Sequence, residues 1–208
     1  MLKTGETQQG FLEYPKGLTP FLDKQSSRLW YKGKPSILNG KLVGIVSARR
    51  IEPDLALKAA EVVRELATLE VGFIGGWHSP LEEEALRILI TRSARVIVCT
   101  AKSLDRFKPS PEVTDFVNQG RALLLTRCSP KARRISRDAS IRRNELVLGL
   151  ANGLVVLSAP AGSASFKLAQ LAVGLRKPVF APPHPINQRL LASGAVSATA
   201  ESIREVLQ

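Results

Sequence analysis

Residues 42–76 read LVGIVSARRIEPDLALKAAEVVRELATLEVGFIGG. LVGIVSA is a short, almost unbroken apolar run. Between Asp54 and Glu70, Leu55, Ala59, Val62, Leu66 and Leu69 follow 4-3-4-3 spacing, which places them on one face of a helix. VGFI at 71–74 then resumes the apolar run. This is strand, amphipathic helix, strand. A strand with no polar face must be covered on both sides, so the unit belongs to a parallel sheet between two helical layers.

The alternation continues along the chain. A helix opens at Pro80, RVIVCT at 95–100 reads as a strand, a helix lies near 111–119, and ALLLT at 122–126 reads as the next strand. After a basic stretch come a helix to about Leu150, LVVLSA at 154–159, a helix from about Ser163 to Arg176, PVFA at 178–181 and a short terminal helix. The pattern predicts an α/β fold with a doubly wound, mostly parallel, extended Rossmann-like sheet of about six strands. Residues 1–40 hold Phe11, Tyr14, Phe21, Trp30 and Tyr31 without clear periodicity. They are expected to form an irregular N-terminal arm packed on a core domain spanning 41–208.

With 208 residues the chain fits one domain of ordinary size. Its 30 Lys and Arg against 18 Asp and Glu leave a formal charge of +12, which favours a polyanionic partner, nucleic acid first. No apolar run approaches the roughly 18 residues of a membrane span, and no apolar leader occupies Met1 to Gly10, so a soluble cytoplasmic protein is expected. Cys99 and Cys128, with His78 and His184, supply neither a disulfide scaffold nor the close ligand pairs of a zinc site. No cofactor and no metal are expected.

In an open parallel sheet, ligands bind beyond the carboxyl ends of the strands. Three such places stand out. After the first core strand, Ser47-Ala48-Arg49-Arg50 offers guanidiniums for phosphate, or simply two solvated arginines. After the second, Gly75-Gly76-Trp77-His78-Ser79-Pro80 permits close backbone approach before a helix, and a plain tight turn explains it equally well. His78 has no nearby paired nucleophile and reads more readily as structural than catalytic. Third, Ala159-Pro160-Ala161-Gly162-Ser163-Ala164-Ser165 enters a helix that continues through Lys167. Its N–H groups and hydroxyls suit an anion, while ordinary capping by Ser163 is the alternative. Neither G-x-G-x-x-G nor G-x-x-x-x-G-K-[ST] is present.

The stretch from Arg121 to Glu145 concentrates Arg121, Arg127, Lys131, Arg133, Arg134, Arg137, Arg142 and Arg143 against Asp138 and Glu145. A solvated face is one reading. Because arginine predominates, contact with nucleic acid is the favoured one.

Taken together, these segments resemble the DNA processing protein A (DprA/Smf) family over about Tyr14 to Ala195. RLWYKG at 28–33, VGIVSAR at 43–49, GGWHSPLE at 75–82 and LDRFKP at 104–109 are similar to its motifs in order and spacing. Arg143-Asn144, Gly149-Leu150, LVVLSA, Ser163-Ala164-Ser165, PVFAPP and Asn187 to Ala195 continue the series. Glu82 stands where the family has Asp, Ser47, Ala48 and Pro80 replace Gly, Ser and Gly, Ser140-Ile141 replaces aromatic-Pro, and Ala164 replaces Gly. Glu145 occupies a usually basic place. The expectation is a divergent or minimal member with the Rossmann core only.

The resemblance implies a non-enzymatic protein that binds single-stranded DNA through Arg49, Gly75, Gly76, Arg142, Arg143, Asn144, Gly162, Ser163, Ser165 and Lys167. It also implies a homodimer and a RecA-type recombinase as partner, in DNA uptake or recombination. The alternative is a Rossmann-type small-nucleotide sensor or nucleoside-monophosphate glycosidase using Glu82 to Glu84. PAGSASFKLA lacks the acid of the P-G-G-x-G-T-x-x-E stretch carried by phosphoribohydrolases.

Overall fold

Every apolar run lies in a strand and every amphipathic stretch in a helix that covers it. The computed structural model describes residues 9–13, 16–21, 28–50, 52–130 and 136–207. Its strands are β1 (Gln9–Glu13), β2 (Arg28–Gly33), β3 (Leu42–Val46), β4 (Gly72–Gly75), β5 (Arg95–Cys99), β6 (Ala122–Thr126), β7 (Gly153–Val156), β8 (Val179–Ala181) and β9 (Val196–Ser197). The helices are α1 (Pro53–Leu66), α2 (Pro80–Thr91), α3 (Pro111–Asn118), α4 (Arg137–Leu150), α5 (Ala164–Gly174), α6 (Gln188–Ala192) and α7 (Ala200–Leu207).

All strands join one sheet in the order β1-β2-β6-β5-β4-β3-β7-β8-β9. From β6 to β9 every pairing is parallel, whereas β2 lies antiparallel against β6 and β1 antiparallel against β2. The winding reverses between β3 and β7, the switch point at which ligands of Rossmann-like sheets bind. Side chains alternate between faces with period two. Val43, Ile45, Phe73, Val96 and Val98 pack under α1, α2, α3 and α7. Leu42, Val46, Ile74, Ile97 and Cys99 face α4 and α5.

Serine caps mark the helix starts. Ser79, Ser110, Ser136 and Ser163 each accept a hydrogen bond from the first turn of α2, α3, α4 and α5, and Pro80 and Pro111 occupy the first helical position. The acceptors offset N–H groups that a helix leaves unpaired, and they fix the start of α4 at Ser136, which the sequence reading left open.

The sheet is longer than the six strands expected. RLWYKG forms β2, with Trp30 opposite Thr126 and Gly33 opposite Leu123, so part of the arm read as irregular is an antiparallel extension of the sheet. Its hydrogen bonds come from a strand far along the chain, which no local period reveals. The two-residue β9 is too short to show alternation, and α6 is a single turn. Helix α1 ends four residues before Glu70, because the N–H groups of Thr68 and Leu69 bond three residues back and tighten the chain into a turn. Tyr14, Lys131, Arg133 and Arg134 lie outside the described residues.

Candidate nucleic-acid interface

At the switch point the loops after β3 and β7 touch, the N–H of Ala48 donating to the carbonyl of Ser158 at 2.9 Å. The turn after β4 sits alongside. There Trp77 adopts φ 50°, is buried, and donates its ring N–H to the carbonyl of Ile97 at 2.9 Å. A Cβ on Gly75 would stand 2.9 Å from that indole, and one on Gly76 would stand 2.9 Å from Nε of Arg143 and 3.0 Å from Nδ1 of His78. A side chain at either position would have to push these groups aside. The two glycines therefore make room for Trp77, His78 and Arg143.

Arg143 and Asn144 reach this turn from α4. Asn144 Oδ1 accepts from both Nε and Nη2 of Arg143, at 3.1 and 2.9 Å. Nη2 also lies 3.1 Å from Nε2 of His78. A guanidinium carries no acceptor, so Nε2 must accept, and the imidazole proton sits on Nδ1. Nδ1 lies 2.8 Å from Oε2 of Glu82 and donates to it. Glu82 is buried, accepting at Oε1 from the N–H of Ser47 at 2.8 Å and at Oε2 from the N–H of His78 at 3.0 Å. The result is a continuous chain, Arg143 to His78 to Glu82 to Ser47, tying α4, the β4 turn, α2 and the end of β3 together.

Electrostatics follow from the same geometry. Burial opposes ionisation of Glu82, but the His78 ring and the N–H groups of His78 and Ser47 outweigh it, and the carboxyl titrates below its ordinary range. Burial lowers the pKa of Arg143, and Arg49 pushes it the same way while Glu82 and Cys99 oppose. Arg49 and Arg143 thus stand close enough to repel one another, and Arg143 remains charged at neutral pH. Two guanidiniums in neighbouring loops, one exposed and one held rigidly, suit an anion with several oxygens.

The α5 loop contributes less through its hydroxyls than the sequence suggested. Ser165 Oγ donates to the Ser158 carbonyl at 2.8 Å, which leaves Ser163 Oγ to donate to Ser165 at 3.0 Å while accepting from the N–H of Phe166. Both hydroxyls are thereby satisfied within the fold. Gly162, at φ +78 with nothing within 4 Å of a Cβ position, leaves the approach to the start of α5 open. Lys167 is exposed on the first turn.

The basic stretch does not form one face. Arg127 is buried, donating to Glu145 at 2.9 Å and to the carbonyl of Phe21 at 3.1 Å. Arg121 lies at the opposite edge of the sheet, before β6, and bonds the carbonyl of Ser93. Arg137 is exposed at the start of α4 and Arg142 is half-buried. Asn187, which opens the last of the family-like segments, has a role the sequence did not show: it is fully buried and staples the ends of β7 and β8. Its Oδ1 accepts from the N–H of Ala159, and its Nδ2 donates to the carbonyls of Leu157 and Pro182.

A family model described as DNA recombination-mediator protein A matches residues 9–207. The chain belongs to this family. Its fold is similar to that of DNA processing protein A from Streptococcus pneumoniae, at 20% identity and TM-score 0.82, covering 97% of this chain and 75% of that one. Against DNA processing protein A from Helicobacter pylori, a structure concerned with that protein's single-stranded DNA binding mode, identity is 23% and TM-score 0.78, with 96% and 95% covered. The molybdenum cofactor binding protein of Rippkaea orientalis is more distant, at 14% identity and TM-score 0.56 over 80% of this chain and 94% of that one. No curated protein sequence matches. Membership of the recombination-mediator family accounts for the order of motifs along the chain. This member carries His78 and Glu82 in the third of them, GGWHSPLE, and these two side chains position its Arg143.

Proposed function

We propose that this protein binds single-stranded DNA by its phosphate backbone at the carboxyl ends of β3, β4 and β7, without catalysing a reaction. The observation that carries this reading is a buried Arg143 at the switch point whose hydrogen-bond partners are an amide oxygen and a neutral imidazole rather than a carboxylate, with the exposed Arg49 in the neighbouring loop. Its Nη1 makes no hydrogen bond among the described residues and so keeps donors for a ligand oxygen. Arg142, Lys167, the N–H groups at the start of α5 and the approach past Gly162 extend the surface.

The glycosidase alternative is disfavoured by Glu82 itself. Both of its oxygens are engaged by Ser47 and His78 and it is buried, so it faces no substrate, and Glu84 pairs with Arg87 on the helix surface. The family's description as a recombination mediator supports a place beside a RecA-type recombinase, in DNA uptake or recombination. Exposed Leu171 and Val173 on α5, with Val196 at the sheet edge, support a second copy as partner. Two free thiols support a reducing cytoplasm, and among the described residues no helix is long and apolar enough to cross a membrane.

Fluorescence anisotropy with a labelled single strand, the matching duplex and a mononucleotide tests the proposal. Preference for the single strand, reduced in Arg143→Ala, supports it; tighter binding of the mononucleotide, or no binding of any nucleic acid, overturns it.

A further inference from the structure

The opposite edge of the sheet carries a second concentration of positive charge. Parallel strands bring the residues that precede them to one edge, so Lys41 before β3, Arg95 at the start of β5 and Arg121 before β6 lie along it. Strand β2 runs the other way, which delivers Lys34 to the same edge, and Arg92 closes α2 just before β5. All five are exposed. The turns at this edge, 34–41, 67–71, 92–95 and 119–121, contain one carboxylate, Glu70.

These cations are gathered by specific contacts. Arg121 Nη1 donates to the carbonyl of Ser93, inside the turn between Arg92 and Arg95. Arg95 Nη2 donates to the carbonyl of Glu70 at 3.3 Å, and its guanidinium stands 3.9 Å from the Cβ position of Gly40, the neighbour of Lys41. The stem of Lys34 lies 3.4 Å from the Cβ position of Gly120, the neighbour of Arg121. Arg95 and Arg121 are level across adjacent strands, since Val96 pairs with Ala122. From β6 to β3 is three strand spacings, about 14 Å. Where β3 and β4 begin, a cavity of about 290 Å³ lined by Lys41, Glu70 and Arg204 among others adjoins the strip.

The acceptors of both arginines are neutral carbonyls. They fix each planar fork in place without compensating its charge, and each guanidinium keeps donors for an outside ligand. None of the four turns contains an aromatic residue to stack a base, so what the strip can read is a backbone of regularly spaced anions.

We propose that this N-terminal edge is a second surface for nucleic-acid backbone, holding a strand segment separate from the one in the cleft. The proposal builds on the strand-binding reading of the carboxyl edge. Strands of four to five residues separate the two edges by about 17 Å, so one molecule presents two strands at opposite ends of a rigid sheet.

Capture of a second strand tests it. The full chain is loaded on a bead-bound oligothymidylate, and a labelled, non-complementary oligonucleotide is added. The Lys41→Gln/Arg95→Gln/Arg121→Gln variant should keep the first strand yet capture about tenfold less of the second, with a salt slope for capture shallower by about 2. Lys41→Gln/Arg92→Gln, which leaves the carbonyl-bonded guanidiniums in place, should show the same direction and guards against a folding defect. Capture equal to wild type in both variants overturns the proposal, and places the second strand on another copy of the chain. Capture of labelled polyglutamate in place of the second strand also overturns it, in favour of an acidic protein. If Arg49→Gln and Arg143→Ala bind the first strand like wild type while the triple variant loses it, the cleft reading fails and the N-terminal edge stands as the strand-binding surface.

Discussion

Arg143 and His78 meet across 65 residues of sequence, Nη2 of one lying 3.1 Å from Nε2 of the other. The contact makes the imidazole an acceptor toward α4 and a donor toward Glu82, so the orientation of the guanidinium depends on a carboxylate it does not touch.

Arg143→Ala is expected to weaken single-strand binding by about 1–3 kcal/mol, and Arg143→Lys to recover part of it, since an ammonium lacks the planar fork. Because Arg143 also joins α4 to the β4 turn, the alanine variant should melt lower by about 2–4 °C for each kcal/mol lost. Anisotropy and melting on the same samples separate the two effects. Wild-type affinity in a folded Arg143→Ala protein removes the residue from the interface.

Glu82→Gln should destabilise the fold by about 1–3 kcal/mol at neutral pH, since the carboxylate accepts from two backbone N–H groups and an imidazole. Its folded pKa lies below the ordinary 4.5, so its contribution is complete above that value and is lost as pH falls through the lower folded one. Urea midpoints from pH 7 downward should therefore converge for wild type and variant only on the acid side. A gap that is constant with pH would contradict the assignment.

Gly76→Ala should act through Arg143. A methyl 2.9 Å from Nε displaces the guanidinium, so the variant should lose about as much affinity as Arg143→Ala, and the double variant no more than either. Additive losses in the binding cycle would show that Gly76 contacts the ligand independently.

Glu145→Gln is expected to cost about 2 kcal/mol of stability, because it takes the charge from the partner of the buried Arg127. Strand affinity, measured where the variant is folded, should remain that of wild type. A selective loss of binding would return Arg127 to the interface.

Affinity for a single strand should fall with salt along a log–log slope of about −2 to −4, at ~0.7 per neutralised phosphate. Titration across a tenfold range of salt measures this directly, and a flat response would contradict a backbone-binding cleft.

The sequence by itself determined the doubly wound architecture. Near-continuous apolar runs at Leu42–Val46 and Ala122–Thr126 require cover on both faces, and Pro80 and the Ser163 cap mark where two of the covering helices begin. It also pointed to the carboxyl ends of β3, β4 and β7, because strand and loop order are local properties. Only the tertiary structure decided what each charge does there. The arginines of 121–145 are neighbours in the chain, yet Arg121 goes to one edge of the sheet, Arg127 into a pair with Glu145, and Arg143 to the switch point against His78. Strand β2 likewise exists because β6 offers it an antiparallel partner. Periodicity records which face of an element is buried, whereas ion pairing, strand pairing and the tautomer of His78 depend on atoms brought together from distant parts of the chain.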